Sequence, residues 1–460
     1  MKFLFRADGS AIIGSGHIMR CLRLAKELRS MGSECVFCCA DSDESFTLAL
    51  RENGFALIAP NDRAREFDYL IVDHYGLDYR YEEAMRGVCG KIMAIDDLAN
   101  RRHSADLLLD QNALTDDDRY DRLLPKECVR LLGFKYALID PLYAAMRKQA
   151  PIKSVKRALI YFGAADRDNF TAMSVEAFLE LDREDIALDV VLSEVHNESV
   201  RRFHGGNITV HSRLESLAPL MSKADLAIGA GGVTMLERLA ISLPSIVIAI
   251  ADNQIEAAKR LAAMSHIVYL GFKADKAALK KALSKAIDQP MQPPVEKACD
   301  ALGARRVAAI LLLNVGSDVC LREAKSGDEE LFLELANDAL TRQNSFNSGF
   351  ISADLHRAWF AQKLSDRANT RLFVASCGFL PIGQTRFEKI GDHWQISFSL
   401  APYARGFGLG GQMLRSAMAL MGDRQFTAIV KENNIPSRKT FEAINFTSKA
   451  GENGTIIYHN

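Results

Sequence analysis

Three glycine-rich junctions, one of them carrying a histidine, are where residue type and spacing suggest chemistry. In GSAIIGSGHIMRCLRLAKELRSMG, residues 9–32, Gly14 and Gly16 stand where a strand should turn into a helix, and His17 sits at the junction. A helix start offers unpaired N–H groups and a partial positive charge, and anions dock there favourably. A neutral imidazole in that field could accept a proton, as a general base must. The same residues also suit a packing histidine or a neighbour of a phosphate loop. A dinucleotide fingerprint fits poorly, because Arg20 and Cys21 stand where its third glycine should fall.

The second junction is AIGAGGVTMLERLA. Gly229, Gly231 and Gly232 lead from a strand into a helix that carries Glu237 one turn inside. Such amides can cradle a diphosphate, and a carboxylate a turn later can accept hydrogen bonds from a ribose diol. No Walker-type lysine follows, which argues against a γ-phosphate site. A turn built only for packing is the alternative. The third junction, SFSLAPYARGFGLGGQML, sets Arg405, Gly406, Gly408, Gly410 and Gly411 between strand and helix, with Asn434, Ser437 and Phe441 on a later helix. Converging glycine amides and a forked guanidinium suit one anion. No kinase catalytic-loop or metal-aspartate motif follows.

These junctions need elements to position them. The chain of 460 residues is 48% hydrophobic and 25% charged, with a net charge of -1, so nothing favours a nucleic-acid partner. Strand-like KFLFRAD, ECVFCCAD, ALIAP and YLIVDH alternate with helical segments over residues 1–150. A second set, RALIYFG, ALDVVLS, ITVHS, ADLAIGAGG and SIVIAI, occupies residues 151–315. That alternation predicts parallel sheets with helices on both faces, in two Rossmann-like halves. Residues 316–460 change to RLFVASCG, LPIGQTRFEK and HWQISFSLAP, strands joined by short turns, which predicts an antiparallel α+β unit containing both tryptophans. The nine cysteines are scattered, and Cys35, Cys38 and Cys39 lie in a strand-like stretch without a second ligand pair. We therefore expect no metal, and a cytoplasmic enzyme without membrane contact.

FRADGSAIIGSGHIMRCLRLA resembles the signature of the UDP-sugar hydrolases of the pseudaminic acid pathway. The resemblance continues through IVDHYGLD, AIDDLANRRHSADLLLDQN, LLGFKYALI, GAGGVTMLE and ADNQ, over about residues 1–314. It implies a glycosyltransferase-B type fold. It also implies cleavage of UDP-2,4-diacetamido-2,4,6-trideoxy-β-L-altropyranose to UDP and free sugar with inversion. His17 then matches the general base, Asp8, Ser15, Tyr75 and Asn253 the sugar site, and Gly163, Gly231, Gly232 and Glu237 the UDP site.

RGFGLG and NIPSRKTFEAINF resemble the GNAT acetyltransferases. That resemblance implies acetyl-CoA as co-substrate, held by Arg405, Gly406, Gly408, Gly410, Gly411, Asn434 and Ser437. Phe441 replaces a tyrosine that protonates the thiolate in many members, and Asn445 replaces the usual glycine before Phe446. The fused neighbour implies N-acetylation of the 4-amino group of the UDP-amino-sugar precursor. The competing reading is a UDP-sugar glycosyltransferase whose GNAT-like domain is non-catalytic or acetylates another acceptor.

Overall fold

In the computed structural model the described residues are 1–9, 16–40, 42–60, 66–112, 118–147, 150–163, 166–192, 197–212, 214, 216–293, 299–314 and 316–460. Gly14 and Ser15, flagged by the sequence, lie outside them. The chain divides into two compact units, Met1–Ala308 and Ala309–Asn460. The division falls inside the helix Gly303–Leu311, a few residues before the expected break.

The first unit holds two sheets. One comprises β1 (Lys2–Ala7), β2 (Glu34–Cys38), β3 (Ala56–Leu57), β4 (Phe67–Asp73), β5 (Cys89–Ile95), β6 (Leu107–Asp110) and β7 (Val129–Leu132). All pairs are parallel, in the order β3-β2-β1-β4-β5-β6-β7. The other comprises β8 (Arg157–Tyr161), β9 (Ala187–Val191), β10 (Ile208–His211), β11 (Leu226–Ala230), β12 (Ser245–Ala249) and β13 (Val268–Phe272). It is parallel too, in the order β10-β9-β8-β11-β12-β13.

Both sheets are covered on both faces, which is why β1, β4, β11 and β12 read as nearly continuous apolar runs. Strand order reverses beside β1 in the first sheet and beside β8 in the second. Ligands of open α/β sheets bind beyond the carboxyl ends of strands at such points. Asp8 follows β1, Asp73 ends β4, Gly163 follows β8 and Gly231 follows β11, so both switch points carry flagged or charged residues. Cys35 and Cys38 are core residues of β2, and burial pushes the Cys35 thiol up to about 12.

The second unit is one mixed sheet of β14 (Cys320–Glu323), β15 (Thr370–Cys377), β16 (Leu380–Ile390), β17 (His393–Leu400), β18 (Phe426–Lys431), β19 (Thr447–Ala450) and β20 (Thr455–His459). Its order is β14-β15-β16-β17-β18-β20-β19. The expected antiparallel meander covers β14 to β17. The departure is β17 with β18, which run parallel, because the chain crosses over through the helix Leu409–Met421. These two strands pair only at Trp394–Phe426 and Gln395–Thr427.

Candidate active sites

His17 is the second residue of the helix Gly16–Ser30 and is buried. Its Nδ1 lies 2.5 Å from Asp73 Oδ1 at the end of β4. Arg20, one turn on, donates from Nε to Asp73 Oδ2 at 2.5 Å and from Nη2 to Oδ1 at 2.6 Å. Burial alone would raise the Asp73 carboxyl, but Arg20 and then His17 hold it well below the usual carboxylate range. Asp73 is therefore ionised and takes the Nδ1–H as its donor, the tautomer that leaves Nε2 as the ring's acceptor. The helix start alone suggested the environment of this ring; the nearer charges are Asp73 and Arg20.

The network extends outward. Arg20 Nη1 reaches Asp97 Oδ2 at 3.3 Å, and Asp97 Oδ1 accepts the Tyr75 hydroxyl at 2.9 Å. Tyr75 in turn accepts from Asn253 Nδ2 at 3.0 Å, and its ring meets His17 edge-on with centroids 4.6 Å apart. Thus His17, Tyr75 and Asn253, far apart in sequence, converge. Asp8 is buried nearby in the sheet, held by Arg6 at 2.8 Å, His74 Nε2 at 3.3 Å and the Ala40 N–H at 2.8 Å. Ser15 lies outside the described residues. Asp110, at the end of β6, is fully buried; burial pushes its carboxyl up to about 6 against the Asn112 N–H and the Tyr120 hydroxyl.

At the second junction Gly163 takes φ +94°, and Gly232 precedes the helix Val233–Ala240 without a side-chain cap. The Gly231 amide, expected at a diphosphate, donates instead to Gln254 Oε1 at 3.1 Å; that side-chain oxygen also accepts the Ile250 N–H at 3.0 Å. Its Cβ, if present, would sit 3.0 Å from Gln254 Cβ, so this glycine admits Gln254 closely. Glu237 is buried rather than on the surface, and Arg23 Nη2 donates to its Oε1 at 2.6 Å. The carboxylate expected at a ribose is therefore held by a residue of the first helix, 214 positions earlier.

In the C-terminal unit Gly406 and Gly408 take φ +83° and +71°, left-handed values that need glycine, and Gly410 and Gly411 open the helix Leu409–Met421. No side chain caps that helix start, so the loop fits an anionic group such as a pyrophosphate. Arg405, expected at the same anion, turns its guanidinium to Asp338, the Leu400 carbonyl and Thr341. It anchors the loop. Asn434 caps the helix Ile435–Glu442, accepting from the Ser437 N–H at 3.3 Å. Phe441 is buried, stacked on Tyr458 at 5.2 Å and edge-on to Phe398 at 5.7 Å. Asn445 takes φ +67°, the conformation for which its glycine counterpart is suited.

Asp73, Asp97, Arg20 and Arg23 were missed as functional candidates in the sequence. The signal for Asp73 was its place in IVDHYG, an aspartate closing an apolar strand. Among the described residues, no group of three or more His, Cys, Asp or Glu could hold a metal ion, and no helix is long and apolar enough to cross a membrane.

Residues 318–447 match the acetyltransferase (GNAT) domain family. An uncharacterized protein of Methanocaldococcus jannaschii is 28% identical over 271 residues, 54% of this chain and 55% of its own length. The UDP-2,4-diacetamido-2,4,6-trideoxy-beta-L-altropyranose hydrolase of Campylobacter jejuni is 29% identical over 274 residues, 57% of this chain and 96% of that protein. A spore coat polysaccharide biosynthesis protein of Bacillus subtilis is 24% identical over 284 residues, 58% of this chain and 82% of its own. The GNAT match makes acetyl-CoA the co-substrate of the C-terminal domain. The chain thus fuses a region homologous to this altropyranose hydrolase to a C-terminal GNAT domain.

Proposed function

We propose that the chain is a bifunctional enzyme of pseudaminic acid biosynthesis. Its first unit hydrolyses UDP-2,4-diacetamido-2,4,6-trideoxy-β-L-altropyranose. The observation that carries this reading is the buried His17–Asp73 pair, clamped by Arg20 beside Tyr75 and Asn253.

Asp73 holds the Nδ1 proton and the ring's orientation, so Nε2 takes a proton from water. The water oxygen forms a bond to the anomeric carbon as the bond from that carbon to the UDP oxygen breaks. The electron pair leaves with UDP, and attack from the face opposite UDP inverts the anomeric centre. The start of the helix Val233–Ala240, after Gly232, supplies partial positive charge to the departing diphosphate. Tyr75, Asn253 and Asp8 line the sugar side, and the Gly163 turn lines the nucleotide side. Glu237 serves the ribose from its place on Arg23.

The second unit transfers acetyl from acetyl-CoA to the 4-amino group of the UDP-amino-sugar precursor. Phe441 cannot protonate the leaving thiolate, so the proton released by the attacking amine must reach sulfur by another route. The two reactions are consecutive, since acetylation makes the hydrolase's substrate.

The experiment is UDP release from the diacetamido substrate with no sugar acceptor added. Wild type is expected to yield UDP and free sugar. His17→Asn is expected to lose about 10²–10⁴-fold in turnover, the contribution of a positioned general base. Turnover within a few-fold of wild type removes His17 from the mechanism, and a requirement for a sugar acceptor makes the unit a glycosyltransferase.

A further inference from the structure

Arg238 stands where a core residue belongs. It lies on the helix Val233–Ala240 beside buried Met235, Leu236 and Leu239, and is itself only 2% exposed. Among the described residues no carboxylate forms an ion pair with it, and its Nε has no hydrogen-bond partner. Glu237, its neighbour in sequence, is engaged by Arg23 at 2.6 Å. Burial draws the Arg238 guanidinium down to about 10, although Glu237 pulls the other way. An unpaired cation this deep is costly to the empty protein, and for packing alone an apolar side chain would serve better.

Its position supplies a reason for it. Nη2 donates to the Ala230 carbonyl at 2.7 Å, at the carboxyl end of β11. Nη1 reaches Thr234 Oγ1 at 3.4 Å, in the first turn of the helix. Nη1 also lies 2.8 Å from where a Gly229 Cβ would stand, a point crowded by the Tyr161 carbonyl that closes β8. The guanidinium therefore lies against the ends of β8 and β11, where strand order reverses and ligands of such sheets bind. Those two strand ends lead into the Gly163 turn and the Gly231–Gly232 loop.

We infer that Arg238 is the fixed counter-charge for a nucleotide diphosphate, a positioning residue that acts through the Ala230–Gly232 backbone and through its field. The inference rests on the UDP reading of this site. A diphosphate at the start of the helix brings the anion that this cation lacks. In a poorly screened interior the attraction reaches past the first layer of atoms. The bond to the Ala230 carbonyl also holds the residue before the two loop glycines, so charge and loop geometry come from one side chain. Glycine at position 229 leaves the room that the guanidinium needs.

The test is UDP binding to the full chain by calorimetry, beside thermal unfolding of the UDP-free protein. Arg238→Gln keeps a donor for Ala230 and removes the charge, whereas Arg238→Lys keeps the charge and loses the fork. Arg238→Gln should weaken UDP binding about tenfold or more, the scale of one charge in a partly screened interior, and Arg238→Lys should stay within about threefold of wild type. The melting temperature of UDP-free Arg238→Gln should be no lower than that of wild type, because the empty site gains nothing from the charge. UDP affinity of Arg238→Gln within about twofold of wild type overturns the inference. Equal losses in both variants, or failure of the neutral variant to fold, overturn it as well. Absence of UDP binding by wild type overturns the UDP reading, and inorganic pyrophosphate then becomes the probe. Pyrophosphate binding that Arg238→Gln loses supports the counter-charge, and no binding by wild type overturns it.

Discussion

Asp73 shows at the scale of a single residue how a carboxylate can act through another side chain. It touches His17 and Arg20 and is fully buried, so in the proposed mechanism it holds a tautomer and an orientation. Asp73→Asn presents an amide that can donate as well as accept, and it strands the Arg20 cation. Hydrolysis should fall by about 10²-fold or more, as when the orienting carboxylate of a catalytic histidine is lost. Thermal unfolding should show a loss of about 3 kcal/mol, since one partner of a buried pair is gone. Full hydrolysis by a folded variant would show that His17 needs no such partner. Asp110 acts in the opposite sense. Its folded carboxyl lies at about 6 against 3.8 for the free side chain, so the folded state favours the proton. That favourable term is complete below pH 4 and disappears as pH rises through 6, costing on the order of 3 kcal/mol. Asp110→Asn should flatten the fall in stability between pH 4 and 6, measured by denaturant unfolding. An unchanged profile would place the titration elsewhere.

The elements explain which of these groups a linear reading finds. The helix Gly16–Ser30 was visible from Ile18, Cys21, Leu22, Ala25 and Leu28 at helical spacing, all of them buried. Its partner strands were visible as apolar runs, and so was the glycine junction that places His17. The pairing partners were not. Arg20 meets Asp73 across 53 positions and Arg23 meets Glu237 across 214, distances over which local periodicity carries no information. Tyr75 and Asn253 came from motif blocks, and only the fold explains their contact. The helix between β17 and β18 was legible after the Arg405–Gly411 junction, but the parallel pairing of the two strands was not, because pairing is a tertiary contact. Glycines were similarly ambiguous. Gly229 resembled a phosphate-loop residue, yet a Cβ there would lie 2.2 Å from the Tyr161 carbonyl of β8 and 2.8 Å from Arg238 Nη1. Gly229 thus serves the close approach of β8 and the buried Arg238 to β11. Gly229→Ala must push a backbone carbonyl aside and should destabilise the first unit by about 3 kcal/mol or more, in the range of overpacked sites. A melting temperature equal to wild type would mean the strands separate freely.

Across the whole molecule, the proposed function gives one chain two chemistries that would share an intermediate. If the second unit makes the acetylated UDP-sugar and the first consumes it, the two activities should separate cleanly by mutation. Given the UDP-4-amino sugar and acetyl-CoA, wild type should release coenzyme A and UDP in equal amounts and end at the free diacetamido sugar. His17→Asn should still consume acetyl-CoA but accumulate the UDP-linked diacetamido sugar, visible as a mass 42 Da above the starting nucleotide sugar, the mass of an acetyl group replacing hydrogen. Without acetyl-CoA, wild type should leave the 4-amino compound largely intact, provided the sugar pocket around Tyr75 and Asn253 requires the acetamido group. Rapid hydrolysis of the unacetylated compound would break the order of reactions and make the fusion a pairing of independent activities. Acetyl-CoA should also change the emission of Trp359 and Trp394, because both tryptophans lie in the C-terminal unit. The same change in His17→Asn, with UDP release abolished, would place the two activities in separate units of the chain.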